Sequence, residues 1–144
     1  MHSFSQSWIL WAVFSAIFAS LTAVLAKIGV SEINSNFATF LRTVVVVAAL
    51  GVLVLATGQT EKISEIPVKT LTFLVLSGLA TGASWLCYFR ALQLGKVSQV
   101  APIDKLSVVF VALIAATFLG EKLSAAGWGG VALIGLGAVI VAVA

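Results

Sequence analysis

The stretch from Gln99 to Leu119 constrains the fold most, because a membrane-length apolar run there carries a proline, an acid and a base. As a helix it would be roughly 31 Å long, about the thickness of a bilayer's hydrocarbon core. Asp104 and Lys105 would then lie roughly 9 Å in from its start. Ionised groups at that depth are costly unless paired or wetted, so they face a protein interior or an aqueous cavity. Pro102 suits the first turn of such a helix, where its missing N–H removes no helical hydrogen bond. A helix that hides an acid and a base from lipid needs other helices around it.

Four further apolar runs supply them. The pattern predicts helices over about 8–29, 37–57, 70–89, 99–119 and 125–143, an all-α integral membrane fold with one five-helix domain over 1–144. The chain is 61% hydrophobic and 9% charged, where a soluble domain carries roughly a quarter charged residues. Met1 to Ser7 has no Lys or Arg, and the first apolar run is too long for a signal-peptide core, so it reads as a retained helix. Trp8 and Trp11 at its start and Trp128 in the last span suit a headgroup-level belt. Gly78 and Gly82 form a G-x-x-x-G pair in the third span, and Gly130 belongs to a glycine-rich last span; all three read as helix-packing residues.

Several function classes lack their residues. A single cysteine, Cys87, allows neither an internal disulfide nor a cysteine-rich metal site, and it reads as a small apolar filler. His2 is the sole histidine, in a terminus expected to fray, which removes Ser/His/Asp and Cys/His nucleophile schemes. No Lys/Arg cluster or base-stacking pattern points to nucleic acid. The sequence therefore predicts no catalytic residues, no cofactor and no metal: a membrane protein that is not an enzyme.

The distribution of charge says more. With five spans, the N-terminus and the 2–3 and 4–5 loops share one side, where Lys62, Lys69 and Lys122 balance Glu61, Glu65 and Glu121. On the other side Lys27, Arg42, Arg90, Lys96 and Lys105 outweigh Glu32 and Asp104, so the entire formal charge of +3 falls there. Outside the helices the basic residues are nearly even, which orients the chain weakly and permits both insertions. Should one orientation dominate, the deeper basic residues favour the charged side in the cytoplasm. Asp104 and Lys105 are about 100° apart on a continuous helix and face each other poorly, so Asp104 is expected to pair with Arg42 or Arg90. Such a pair is either structural, with the lysines reaching headgroups, or part of a solute or ion pathway.

Three segments carry a resemblance: Tyr88-Phe89-Arg90-Ala91-Leu92, Val100-Ala101-Pro102-Ile103-Asp104-Lys105-Leu106-Ser107, and Phe118-Leu119-Gly120-Glu121-Lys122-Leu123-Ser124. Ala26-Lys27-Ile28-Gly29, Arg42-Thr43 and the glycine-rich run from Gly127 to Gly137 extend it over essentially the whole chain. In this order the chain resembles the EamA-type repeat of the drug/metabolite transporter superfamily. Most members fuse two such repeats into ten helices, so the chain looks like the half-size bacterial/archaeal transporter branch. The resemblance implies alternating access between inverted repeats around a central cavity. For a single five-helix copy it implies an antiparallel homodimer of dual topology in the cell (inner) membrane. Small multidrug resistance proteins of the superfamily use a carboxylate in the middle of helix 1. Here that region offers only Ser15, Ser20 and Thr22, which departs from simple carboxylate exchange of cationic drugs.

The expected function is a secondary transporter, an exporter or exchanger, for a small metabolite. Asp104 is the candidate proton- or ion-coupling group, with Ser107 one turn beyond and able to hydrogen-bond it. Lys105, Arg42, Arg90 and Lys27 are the basic candidates; for Lys27 a headgroup contact is the competing role. Trp85 and Tyr88 either stack on solute at a cavity wall or anchor the third helix at the interface. The excess positive charge favours solutes bearing a carboxylate or phosphate. A lipid-linked intermediate flippase and a non-transporting accessory subunit are the competing functions.

Overall fold

A computed structural model describes residues 7–144, so His2 and the segment before Ser7 lie outside the described residues. Among the described residues the structure is all helical, and five helices are long and apolar enough to cross a membrane. Helix α1 spans Trp8–Gly29, α2 Ser35–Thr57, α3 Val68–Leu94, α4 Val97–Asp104, α5 Ser107–Ile114 and α6 Ala125–Val143. The described residues form two compact units, one of residues 28–93 and one of residues 7–27 with 94–144.

In the unit of residues 28–93, α2 starts two residues before the expected Phe37. Asn34 is the reason: its side-chain oxygen accepts from the backbone N–H of Asn36 at 2.9 Å and of Phe37 at 3.4 Å, satisfying donors that no helical carbonyl can reach. The helix ends at Gly58, whose φ of 65° is left-handed. There the N–H of Gly58 bonds Leu55 O and that of Gln59 bonds Val54 O, the paired closure of a Schellman motif. A single 3-10 turn, Ile63–Glu65, and Pro67 lead into α3. Helix α3 continues five residues past the expected Phe89, taking Arg90 and Gln93 into its last turns. The Gln93 amide donates to Val30 O at 3.1 Å and Ile33 O at 2.8 Å, carbonyls left open between α1 and α2. Val30 and Leu92 are both 0% exposed. A polar lock at the end of α3 thus sits beside the best-buried apolar pair.

The other unit contains the main departure from the sequence expectation. The stretch predicted as one helix is two: α4 ends at Asp104, Lys105 and Leu106 form a turn, and α5 begins at Ser107. Through the break, Lys105 N–H bonds Pro102 O, Leu106 N–H bonds Ile103 O and Val108 N–H bonds Lys105 O. These are the three-residue closures of a 3-10 helix rather than an α-helix. Helix α4 starts at Val97, so Pro102 is inside the helix rather than in its first turn, where it removes a bond and crowds the preceding carbonyl. Past Ile114 the chain widens into a π-turn, Ala115–Leu119, closed by Gly120 at φ 68°. Ser124 caps α6 by accepting from Gly127 N–H at 3.1 Å. Helices α4 and α5 both pack on α6, and Gly135 is the residue that allows the closest approach. A Cβ there would meet Val109 Cγ2 at 3.1 Å and Leu106 Cδ2 at 4.0 Å. At the far end the Gln99 amide donates to Ala142 O, tying α4 to the last turn of α6.

Most large apolar side chains point outward. Phe40, Val45, Leu79, Phe110 and Leu133 are each more than half exposed, the pattern of helices whose outer faces meet acyl chains. The buried positions are mainly alanines (Ala23, Ala38, Ala112, Ala115, Ala138), as small residues at helix contacts require when lipid supplies no hydrophobic drive for association.

Candidate functional site

The break in the α4–α5 span carries the first charged group. Lys105 Nζ lies 3.1 Å from Asp104 Oδ2. This overturns the expectation that neighbours on the span fail to pair: the long, flexible lysine side chain reaches back to the carboxylate although the two residues leave the backbone in different directions. The pair remains partly open, with 36% of the Asp104 side chain and 56% of the Lys105 side chain exposed. Ser107 opens α5, and among the described residues no hydrogen bond joins its hydroxyl to Asp104. Both groups sit between the carbonyl end of α4 and the N–H end of α5, so each charge feels one favourable and one unfavourable helix end. In the same unit Lys27 Nζ donates to Gly95 O at 2.8 Å. That lysine holds the chain leading into α4, a contact distinct from the headgroup role considered for it.

The unit of residues 28–93 treats its embedded charge differently. Arg42 lies in the third turn of α2, and its guanidinium carbon is 4.3 Å from the centroid of the Trp85 ring and 5.4 Å from that of Phe89. Both distances fall within cation–π range. Trp85, Tyr88 and Phe89 are spaced to lie on one face of α3. Trp85 therefore holds a cation. Arg90 is exposed and donates from Nη1 to Gln93 Oε1 at 3.1 Å.

The glycines divide in the same way. Gly78, Gly82 and Gly130 were read as packing residues, yet within their own units no heavy atom lies within 4 Å of where a Cβ would sit. The glycine in tight contact is Gly135. Sequence reasoning passed over Phe89, Gln93 and Gln99 as site or locking residues. A signal existed for two of them: Phe89 is four residues from Trp85 and Gln93 three from Arg90, both helical-neighbour spacings. Among the described residues no group of three His, Cys, Asp or Glu side chains could hold a metal ion.

Residues 6–143 match the EamA-like transporter family. The chain is 60% identical over 139 residues, 96% of its length, to a protein of Sinorhizobium sp described as an uncharacterized transporter in the cobO 3′ region, of which it covers 99%. No solved structure matches the chain.

Proposed function

Because the chain belongs to the EamA-like transporter family, we propose that it is a secondary transporter that moves a small metabolite across the cell (inner) membrane by alternating access, as an exporter or exchanger. The observation that carries the mechanism is the interrupted α4–α5 span, with the Asp104–Lys105 pair at its break. Transporters place solute and ion sites where a membrane helix is discontinuous, because unwound backbone and helix ends offer polar groups that a continuous helix hides. In this reading Asp104 is the coupling carboxylate. Protonation releases Lys105, and re-ionisation recaptures it.

One copy supplies a single five-helix repeat. An antiparallel homodimer of dual topology would pair it with an inverted mate and enclose a cavity. The open faces of Gly78, Gly82 and Gly130 leave room for that second copy.

Uptake and efflux by proteoliposomes, over a panel of small acids and amines and with Asp104→Asn as comparison, tests the coupling role. The variant should lose the pH dependence of transport and fall at least ten-fold in rate; unchanged transport with an unchanged pH profile removes Asp104 from the mechanism. Orientation is tested separately, by replacing Cys87 and labelling single terminal cysteines from each face. Dual topology requires each terminus to label from both sides.

A further inference from the structure

The geometry points to Arg42, stacked on Trp85 and Phe89, as an anion-recognition group that takes the carboxylate or phosphate of a small organic solute. This deepens the transporter reading and rests on it for the word solute, while the binding event itself does not depend on transport.

The aromatic contacts engage the guanidinium through its positive charge and accept none of its five N–H donors in a conventional hydrogen bond. An arginine inside a span is ordinarily paired with an acid. Within the unit of residues 28–93, however, the one ion pair among the described residues is Lys62–Glu65, and no carboxylate of that unit pairs with Arg42. Within its own unit, Glu32 lies between α1 and α2, and Glu61 and Glu65 lie between α2 and α3. The other embedded basic groups have polar partners: Lys27 the Gly95 carbonyl, Arg90 the Gln93 amide, Lys105 the Asp104 carboxylate.

The direction of the side chain also decides between ligands. A guanidinium reaching for headgroups would extend along the helix toward the interface. Arg42 instead lies against Trp85 and near Phe89, a ring only 3% exposed. A fork held on an aromatic platform matches the two oxygens of a carboxylate or phosphate. The aromatic stretch of α3 that carries Trp85 and, three residues on, Tyr88 suits the organic body of such a solute.

The test uses the full chain in phosphatidylcholine nanodiscs, with Trp8, Trp11 and Trp128 replaced by Phe so that Trp85 is the remaining indole. Succinate and inorganic phosphate are titrated against chloride at matched ionic strength and against tetramethylammonium. At least one of the two anions should give a saturable change in Trp85 fluorescence, weakened at least ten-fold in Arg42→Gln. In Arg42→Lys, which keeps the charge but not the fork, the change should weaken several-fold. A response shared by chloride, an equal response in both variants, a preference for tetramethylammonium, or no saturable response to either anion overturns the assignment. Replacing a third of the phosphatidylcholine with phosphatidylglycerol distinguishes the sources. If the anionic lipid alone shifts Trp85 and abolishes the succinate and phosphate responses, Arg42 holds a headgroup phosphate and the solute assignment fails. Since no flux is measured, loss of the transporter reading would leave this result readable, and the converse holds too.

Discussion

The two units accommodate charge inside apolar spans by opposite means. The unit of α4, α5 and α6 breaks a helix: Pro102 weakens α4, the backbone tightens at Lys105, and acid and base converge across the gap. The unit of α2 and α3 leaves both helices whole and lays a guanidinium on an aromatic face. The first solution places hydrogen-bonding backbone and two opposite charges at one point in the span. The second keeps the backbone satisfied and leaves a cation that pairs with no carboxylate among the described residues of its own unit. The proposed coupling carboxylate and the proposed anion-binding cation are therefore drawn from structurally different settings.

Packing differs in step with this, which gives three substitutions ranked by effect. In Gly135→Leu the new side chain meets Val109, already 3.1 Å from the Cβ position. Overpacking of this kind should destabilise by about 3 kcal/mol, read as a lowered unfolding midpoint in detergent. A midpoint unchanged by Gly135→Leu would mean that α5 and α6 are not in close contact. Gln93→Ala tests the other unit. It strips the side-chain donors from Val30 O and Ile33 O, and a loss of about 1 kcal/mol is expected. Faster backbone hydrogen exchange around 30–35 should accompany it. Were Gln93→Ala to cost more than Gly135→Leu, polar locking rather than close packing would dominate the fold. At the bottom of the ranking, Lys62→Ala removes a pair whose side chains are 81% and 68% exposed. Its effect should stay within about 0.5 kcal/mol, and a larger change would show that the α2–α3 link contributes more than its exposure implies.

The limits of sequence reading fall along the same division. Helices α1 and α6 have the limits that hydropathy and flanking polar residues suggest, with Ser124 as a recognisable cap before α6. The C-terminal end of α3 was set too early because Arg90 and Gln93 look like loop residues, although they are held helical by their contacts with each other and with Val30 and Ile33. The break at Lys105 and Leu106 escaped because hydropathy does not register which carbonyl an N–H chooses. Composition and spacing identified Asp104, Lys105, Arg42, Trp85 and Tyr88 as unusual for their surroundings. The contacts of Asp104 with Lys105 and of Arg42 with Phe89 depend on local backbone geometry and side-chain direction, which charge counting cannot supply.

The interruption between α4 and α5 also has an electrical consequence. With Asp104 ionised, the node at the break carries no net charge and is indifferent to the voltage across the bilayer. Neutralise the carboxylate and Lys105 becomes an uncompensated cation, subject to a force worth about 2.3 kcal/mol per 100 mV were it to cross the whole field. If Asp104 is the coupling group of the proposed transport cycle, a proton taken up there would thereby hand the membrane potential a lever on the span.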